Sequence, residues 1–296
     1  MGSRIFALGD IHGRWQTIRD FWLANKSKEK FDECETTLIL LGDAGLNYFL
    51  GEDAQDRDRK TKEKLGKFPF TYFVIRGNHE ERPSICAAKY PDRWHTEEFW
   101  GNTVYVENDF PYIKYALDEV AFYHIPYVKI PYYLRDDNEE TGDIEWEDLM
   151  DIYTALVIPG AYSIDKHYRI MNGWSWFENE QLNSEERAKC LDMIKGKPKV
   201  DLVLSHTCPL YFEPTDLFLT FIDQSTVDKS MERLLNRVEY GVDYRAWMWG
   251  HFHAFRDYPR TDGRKKLMLY DNYAVDIVDY IENEEFEKYE TYHRGE

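Results

Sequence analysis

The chain has 296 residues and a formal net charge of −18, with 37 Lys and Arg against 55 Asp and Glu. A surface this negative repels phosphate backbones, so we expect no tight non-specific binding of nucleic acid and no nuclease channel, which needs a basic track. The four cysteines form no C-x-x-C pair, which argues against a disulfide framework or a zinc ribbon and is typical of a reducing compartment.

The same composition bears on location and on domain number. No apolar stretch approaches the ~18 residues that span a bilayer. The first predicted strand begins by Arg4, which leaves no room for a signal peptide. We therefore expect a soluble, cytoplasmic protein without a membrane partner. The motifs that carry chemistry span positions 10 to 253, so we predict one catalytic domain over residues 1–296, with an acidic surface loop inserted at residues 135–148.

Strands and helices are predicted to alternate in the first third of the chain. The strands are Arg4–Leu8, Thr37–Leu41 and Thr71–Ile75, and the helices are Trp15–Asn25, Asp56–Gly66 and Arg82–Lys89. Runs of four to six apolar residues closed by Gly or Ser are typical of buried strands. This β-α-β-α-β order implies a parallel core with right-handed crossovers.

The rest of the chain predicts a mixture of elements. Two apolar runs at Val200–Leu204 and Ala246–Trp249 predict buried strands. Short aromatic or β-branched runs predict antiparallel or mixed strands at Asn102–Val106, Tyr112–Tyr115, Val120–Ile125, Leu156–Ile158, Tyr168–Met171, Lys266–Tyr270 and Val275–Tyr280. A capping box at Asn183–Glu186 predicts a helix to about Lys195, and a second helix is predicted from Ser225 to Gly241. Helices that flank two stacked sheets would accommodate both parts of the chain.

Five of the predicted strands end directly in residues of metal-binding types. The five clusters are Gly9-Asp10-Ile11-His12-Gly13, Gly42-Asp43, Gly77-Asn78-His79-Glu80, Ser205-His206 and Gly250-His251-Phe252-His253. Open α/β sheets carry their chemistry at strand ends, so we expect these side chains to meet. Each single cluster is often only a turn with polar residues, but five of them in order, each after an apolar run, argue against that interpretation.

Mixed carboxylate, imidazole and amide ligands indicate a two-metal hydrolase site. Hydrolysis of a phosphate ester near neutral pH needs neutralised phosphoryl oxygens and a strong nucleophile. Two metal ions about 3.5–4 Å apart supply both, because they bind the oxygens and lower the pKa of a bridging water. Imidazole donors favour Mn, Fe, Zn or Ni over Ca or Mg alone.

As a set, the series G-D-I-H-G, G-D, G-N-H-E, S-H and G-H-F-H resembles the calcineurin-like metallophosphoesterase superfamily over residues 4–255. The resemblance implies an α/β fold that forms a four-layer α/β/β/α sandwich with two mixed sheets. It also implies that one ion is held by Asp10, His12, Asp43 and His253, and the second by Asp43, Asn78, His206 and His251. Asp43 would bridge the ions, a metal-bridging hydroxide would attack the phosphate, and His79 would protonate the leaving oxygen as general acid. Mn²⁺ or Fe²⁺ would be the metals, with Zn²⁺ or Ni²⁺ as alternatives.

Two further segments, residues 159–166 and 172–177, resemble a bacterial and phage-type subgroup of these enzymes. In the phosphoprotein-phosphatase branch the second motif continues G-D-x-x-D-R, whereas Leu46 and Asn47 stand here where Asp and Arg would be. The acidic partner of His79 is therefore absent at that position. This departure disfavours a phosphoprotein phosphatase, although the stretch from Arg76 to Glu80 favours one, so it stays as an alternative. A non-catalytic metal-binding scaffold is a third possibility, which the complete ligand set disfavours.

The substrate is predicted to be a small phosphorylated molecule or nucleotide, and the sequence identifies no protein partner. Arg14 and Asn47 each follow a ligand motif closely and are predicted to contact the substrate phosphate. Arg82 and Arg169 are weaker candidates for the same contact, and Arg82 is better explained as a surface residue at the start of a helix. Tyr162 and Trp176 could shape a specificity pocket, although most aromatic rings in a chain with 16% aromatic residues are simply core.

Overall fold

A computed structural model of the chain describes residues 3–29, 31, 35–48, 52–128, 150–218, 220, 223–260 and 262–291. Within these ranges, fourteen strands form an eight-stranded and a six-stranded sheet. The predicted acidic insertion at residues 135–148 lies outside the described residues, and the prediction of a single domain stays a prediction. None of the helices in these ranges combines the length and the apolar character that crossing a bilayer requires.

The larger sheet is mixed. Its strands are β1 (Ser3–Leu8), β2 (Glu35–Leu40), β3 (Phe70–Val74), β4 (Trp94–Phe99), β5 (Asn102–Glu107), β6 (Ile113–Tyr115), β13 (Tyr273–Asp276) and β14 (Lys288–Glu290). They lie in the order β14-β13-β1-β2-β3-β6-β5-β4. The central neighbours from β1 to β6 pair in parallel, whereas the outer pairs are antiparallel. The parallel core predicted from the β-α-β-α-β order is confirmed.

The smaller sheet is mixed in the same way. It contains β7 (Ala121–Val128), β8 (Met150–Ile158), β9 (Lys199–Ser205), β10 (Asp243–Trp249), β11 (Arg256–Asp257) and β12 (Lys265–Met268). The order is β11-β12-β10-β9-β8-β7, and β8, β9, β10 and β12 are parallel to one another. Strands β1 to β3 of the larger sheet and β9 and β10 of this one are the five strands that precede the metal-binding clusters.

The two sheets pack face to face, and helices cover their outer faces. Successive side chains of a strand point to opposite faces, so Ile5 of β1 packs between the sheets with Leu202 of β9, while Phe6 faces outward. The helices are α1 (Trp15–Glu29), α2 (Glu52–Leu65), α3 (Pro83–Lys89), α4 (Lys166–Met171), α5 (Ser184–Met193), α6 (Ser230–Gly241) and α7 (Ile277–Glu282). Helix α1 packs on the larger sheet through Phe21, and α6 packs on the smaller one through Leu234. The predicted α/β/β/α sandwich is confirmed.

Several predicted elements are wrong in type or in bounds. Tyr168–Met171 was predicted as a strand but lies in α4, because four residues of mixed polarity carry no reliable period. The predicted strand Val275–Tyr280 ends at Asp276, whose side chain caps α7 by accepting hydrogen bonds from the next turn. The helix predicted from Ser225 begins only at Ser230, and residues 224–226 form a 3₁₀ turn.

Candidate metal centre

Loops that leave the carboxyl ends of β1, β2, β3, β9 and β10 meet at one edge of the sandwich. The backbone amide of His251 donates to Asp10 Oδ1 at 3.1 Å, which joins the two sheets across this edge. His206 Nε2 lies 2.8 Å from Asn78 Oδ1, a second contact between the sheets. The side chains that the sequence predicted to meet are therefore brought together.

The first group in this centre consists of Asp10, His12 and His253. One possible ligand atom from each lies within 4.8 Å of the others. His253 Nε2 is 2.9 Å from His12 Nε2 and 3.5 Å from Asp10 Oδ2. Asp10 Oδ2 is buried and has no hydrogen-bond partner among the described residues. A buried oxygen without a partner is costly, so a cation between these three side chains fits the site.

The second group consists of Asn78, His206 and His251, whose ring nitrogens face one amide oxygen. Asn78 Oδ1 lies 2.8 Å from His206 Nε2 and 3.1 Å from His251 Nδ1. The other ring nitrogen of His206, Nδ1, donates to the carbonyl of Leu41 at 2.8 Å, so Nε2 of the neutral ring carries a lone pair. Two acceptors that face each other repel unless a cation lies between them, and this arrangement therefore also fits a metal ion.

The orientation of the Asn78 amide is set by residues outside the five motifs. Asn78 Nδ2 donates to Ser163 Oγ at 2.8 Å, and Ser163 Oγ donates to Glu180 Oε2 at 2.5 Å. Glu180 also accepts from the Ser163 amide at 3.0 Å and from the Trp176 indole at 2.9 Å. Because the nitrogen of the amide is held by this chain of hydrogen bonds, the oxygen points to the histidines.

Asp43 contacts both groups. Its carbonyl accepts from the His12 amide at 2.8 Å, and its Oδ2 lies 3.8 Å from His206 Nε2. Its Oδ1 accepts from the His79 amide at 2.9 Å. Burial alone would raise the pKa of Asp43, but the nearby histidines outweigh it and hold the pKa below its usual range. The carboxylate is therefore ionised, lies beside His206, and is near enough to His12 and His253 for its charge to act on their pKa values.

The protonation states in this centre match those of metal ligands. Burial lowers the pKa of His12 to about 4, and burial also lowers the pKa of His206 and holds that of His251 well below its usual value. These rings are neutral near pH 7, as ligands must be. Burial and the nearby Asp43 carboxylate raise the pKa of Asp10 well above its usual range. Two buried carboxylates side by side are stabilised by divalent cations, so the donor set fits metal binding.

The backbone is strained where the candidate ligands lie. His12, Asp43, His251 and His253 have φ values of 47°, 47°, 70° and 52°. Residues with a Cβ rarely adopt this left-handed region, and each costs about 1–3 kcal/mol, so it persists only where the surrounding structure imposes it. The left-handed conformation turns the backbone sharply at each of these residues, so that the candidate ligand side chain faces the centre.

Glycines in the motifs allow the loops to approach the ligands. A Cβ at Gly77 would lie 2.1 Å from Asp43 Oδ1, and a Cβ at Gly250 would lie 2.2 Å from Asp10 Oδ1. Both contacts are far inside van der Waals distance. Both glycines are therefore required by the packing of one loop against a ligand of another.

Glu80, the last residue of the G-N-H-E motif, holds two of these loops together. Its Oε1 accepts from the amides of Gly45 and Leu46 at 2.9 and 3.3 Å, and its Oε2 accepts from the Gly77 amide at 3.2 Å. Burial, together with the charge of Asp43, raises the pKa of Glu80 to about 7. The sequence contained this residue in a motif, but no pattern indicated that it spans the loops after β2 and β3.

His79 is positioned by an arginine in place of the carboxylate that the second motif lacks. Arg169 Nη2 donates to His79 Nε2 at 3.1 Å, and Arg169 Nε donates to Asp165 Oδ2 at 2.8 Å. Arg169 Nη1 is also 3.3 Å from the carbonyl of Ser175. An arginine can only donate, so His79 Nε2 accepts here and the ring proton lies on Nδ1.

Arg14 lies at the rim of the centre. Its guanidinium pairs with Asp271 at 2.8 Å and donates to the Tyr270 hydroxyl at 2.9 Å, while the Tyr270 ring stacks on His253 with a centroid separation of 4.9 Å. The side chain is 46% exposed. Contact between Arg14 and the substrate phosphate stays a prediction.

Asn47 is buried, and its side-chain oxygen accepts from Lys62 Nζ at 3.2 Å. The side chain of Asn47 is therefore already hydrogen bonded within the protein. Its predicted contact with the substrate also stays a prediction. The next residue, Tyr48, hydrogen bonds through its hydroxyl to His12 Nδ1. The sequence analysis missed Tyr48, since no motif marks it.

A cleft of about 410 Å³ opens beside the two groups. Its wall includes five of the candidate site residues, namely Asp43, Asn78, His79, His251 and His253. A ligand that occupies the cleft would therefore reach both groups and His79 at once.

Comparison with known proteins places the sequence in a family. The family described as calcineurin-like phosphoesterase matches residues 3–255, whereas a comparison with curated protein sequences finds no match. The protein TT1561 of Thermus thermophilus is 11% identical, with a TM-score of 0.46, and the alignment covers 99% of this chain and 100% of that one.

Two other solved structures are similarly distant. The phosphopantetheinyl hydrolase PptH from Mycobacterium tuberculosis is 13% identical, with 91% and 90% coverage and a TM-score of 0.41. The 5′-nucleotidase from Candida albicans is 11% identical, with 92% and 47% coverage and a TM-score of 0.41. Structural similarity at this level is no evidence of function. The family match, in contrast, spans most of the chain and agrees with the five motifs. The chain therefore belongs to the calcineurin-like phosphoesterases, a family of metal-dependent hydrolases of phosphate esters.

Proposed function

We propose that the protein hydrolyses the phosphate ester of a small molecule or nucleotide at a dinuclear metal centre, with His79 as general acid. The observation that carries the proposal is the position of Asp43, whose carboxylate faces His206 while its backbone binds His12. The charge of this carboxylate also opposes the lowering of the pKa of His12 and of His253, so it lies near both groups of imidazoles, as a shared, bridging ligand must.

Two sets of residues would hold the ions. They are Asp10, His12, Asp43 and His253 for one ion, and Asp43, Asn78, His206 and His251 for the other. When bound, two divalent ions neutralise the phosphoryl oxygens and make water acidic enough to act as a nucleophile near neutral pH. Mn²⁺ or Fe²⁺ suits this mixture of imidazole and carboxylate donors, with Zn²⁺ or Ni²⁺ as alternatives.

His79 lines the cleft beside the candidate ligands, where it can reach the leaving oxygen of a bound ester. An imidazole that acts as an acid must present a proton on the nitrogen that faces the substrate. Nε2 now accepts from Arg169, so the guanidinium must leave it and Nε2 must take up a proton from solvent before it can act as the acid. The displaced guanidinium would then donate to the phosphoryl oxygens, for which its planar fork is suited.

The phosphoprotein-phosphatase alternative is less well supported. Leu46 lies in the core of the larger sheet and Asn47 is bonded to Lys62, so neither replaces the acidic partner or the arginine of that branch. Arg76, which favoured this alternative in the sequence, is buried and donates to the carbonyl of Glu180 at 2.7 Å. The scaffold alternative is disfavoured because a protein that had lost turnover should also have lost ligands, whereas this chain keeps all seven predicted ligands and His79.

Replacing the shared carboxylate tests the proposal. Asp43→Asn keeps the size of the side chain but removes its charge, so we expect loss of both bound metal and turnover. The measurements are elemental analysis of the purified protein and hydrolysis of p-nitrophenyl phosphate and bis(p-nitrophenyl) phosphate with added Mn²⁺. Asp109→Asn, at a side chain that is 62% exposed, is the matched control. A wild-type protein that holds no metal and gains no activity with Mn²⁺ would overturn the proposal.

A further inference from the structure

Part of the cleft wall, called the far end below, is formed by residues that the proposed chemistry does not use. Among its lining residues are Ile164, Leu217, Phe218 and Phe252. Ile164 and Leu217 are each 46% exposed, and the rings of Phe218 and Phe252 stack with centroids 6.2 Å apart at an angle of 21°. Contact with water is unfavourable for large apolar side chains, so a ligand that covers them gains free energy on binding.

The charges at the far end select against a second anion. Lys229 lies there, but its Nζ is paired with Glu213 at 2.6 Å and lies 4.9 Å from the centre of the Phe218 ring. Glu213 and Glu232 line the same end. Within the described part of the cleft wall, no cation at this end is left to neutralise an additional negative group.

Glu232 contributes a polar atom that lacks a partner. Its Oε1 accepts from the Thr207 hydroxyl at 2.9 Å, whereas its Oε2 is buried and has no hydrogen-bond partner among the residues that the structure describes. The residue lines the cleft although it is only 3% exposed. A buried acceptor of this kind is satisfied when a ligand brings an N–H or O–H donor to it.

From this wall we infer that the far end binds the alcohol part of the phosphate ester, and that this part is an apolar ring-bearing group with an N–H or O–H donor and no second anion. The inference rests on the proposed function, because the phosphate has to lie against the candidate metal ligands. The ring packs on Leu217, Ile164 and Phe252, and the donor meets Glu232 Oε2. Bare alkyl phosphates and polyanionic esters are then poor ligands.

Binding of hydrolysis-resistant phosphonates tests the apolar part of this inference. Benzylphosphonate and ethylphosphonate share the phosphoryl group and differ in the ring, so their dissociation constants for the Mn²⁺-loaded protein are compared by calorimetry. We expect benzylphosphonate to bind roughly 10- to 100-fold more tightly, the gain from burying one ring. Equal affinities would overturn the inference.

Substitutions at two exposed side chains locate the ring. Leu217→Ala removes apolar surface from the cleft and is expected to reduce the benzyl-to-ethyl preference by about fivefold. Tyr211→Ala is the matched control, because Tyr211 is 71% exposed and does not line the cleft. A preference that survives Leu217→Ala unchanged, or that falls equally in both variants, would show that the ring lies elsewhere.

Two substituted probes test the polar part. In the wild type, 3-aminobenzylphosphonate is expected to bind about fivefold more tightly than benzylphosphonate, and 4-carboxybenzylphosphonate at least about tenfold more weakly. Glu232→Gln should abolish the advantage of the amine, because its carbonyl stays with the Thr207 hydroxyl and its NH₂ faces the cleft. An amine without advantage, or a carboxylate that binds as well as the unsubstituted ring, would overturn this part.

Turnover is measured separately, so that the two proposals can fail independently. Benzyl phosphate and ethyl phosphate are assayed with Mn²⁺ for phosphate release. The expected affinity pattern without any turnover would reject the proposed hydrolysis and keep the cleft assignment. Turnover of both esters with equal kcat/KM and equal phosphonate affinities would reject the cleft assignment and keep the hydrolysis.

Discussion

The ligand loops and the segment from Pro159 to Gln181 serve the same centre by different physical means. The loops are short, follow parallel strands, and hold their side chains through strained backbone and glycine contacts. The segment supplies no candidate ligand, and instead orients Asn78 and His79 through the side chains of Ser163 and Arg169. The loops therefore determine which atoms meet, whereas the segment determines the orientation of the Asn78 and His79 side chains.

His79 lies in one of the ligand loops, next to Asn78, but it contacts Arg169 of the segment. Because it is not a predicted metal ligand, replacing it tests catalysis without removing a ligand. His79→Asn should lower turnover about 10²–10⁴-fold and leave the metal content intact, because general acid catalysis is lost while the ligands stay. Steady-state rates and elemental analysis check this. His95→Asn, at an exposed histidine that bonds Asn108, is the control.

The leaving group sharpens the same prediction. The loss should shrink for p-nitrophenyl phosphate, because p-nitrophenolate departs with little need of a proton. An equal loss for p-nitrophenyl and alkyl esters would remove the acid role from His79, and a loss of metal would place this residue with the ligands.

Acidification should affect the ligand loops before other parts of the fold. The pKa of His12 is lowered to about 4 from 6.5, so the neutral ring is the form that the metal-free fold favours. Its contribution is complete above pH 6.5 and is lost as the pH falls from 6.5 to 4, by up to about 3 kcal/mol of unfolding free energy. Urea unfolding of the metal-free protein across this window measures the slope, which His12→Gln should reduce. An unchanged slope in the variant would assign the acid sensitivity to other groups.

A methyl group at Gly77 should damage the centre through one ligand. Gly77→Ala places a Cβ 2.1 Å from Asp43 Oδ1, and a displaced carboxylate should cost about 10²-fold in turnover together with loss of metal. Gly241→Ala is the control, because its added Cβ is also crowded, lying 2.7 Å from Ile194 Cδ1, but the nearest atoms all belong to Ile194 and none to a candidate ligand. Full metal content in Gly77→Ala would show that the loops can relax more than their strained backbone implies.

The loops could be predicted from sequence because each motif is contiguous. An apolar run predicts the strand, a glycine marks the close approach, and the ligand follows within three residues. The same logic predicted β1, β2, β3, β9 and β10. No motif follows β6, β8 or β12, which also pair in parallel but were predicted only as antiparallel or mixed strands. The same logic missed β4, since Trp94–Phe99 is an edge strand whose residues are mostly polar and form no apolar run.

The orienting residues could not be predicted, since their contacts link distant positions. Ser163 is 85 positions from Asn78, and Arg169 is 90 positions from His79. No local pattern encodes either contact. The segment that contains them was even assigned a strand at Tyr168–Met171, where α4 lies. Identification of these residues requires the packed fold.

The smallest of these effects should come from the residue farthest along the orienting chain of hydrogen bonds. Glu180 accepts three hydrogen bonds, two from Ser163 and one from Trp176. Glu180→Gln removes the charge and puts an NH₂ opposite at least one of these donors, so at least one of the three bonds is lost and Ser163 holds the Asn78 amide less firmly. We expect a loss of roughly tenfold in affinity for the ion held by Asn78, His206 and His251, the scale of effects from residues that support ligands.

Metal titrations that resolve two binding steps measure this effect, since the step assigned to Asp10, His12 and His253 should not change. Glu178→Gln is the matched control, because Glu178 is an exposed residue two positions away. If Glu180→Gln weakens both steps equally, the segment supports the whole centre and its separation from the ligand loops is wrong. If Glu180→Gln weakens neither binding step, the Asn78 amide is oriented by its own loop, and the role assigned to Ser163 is wrong.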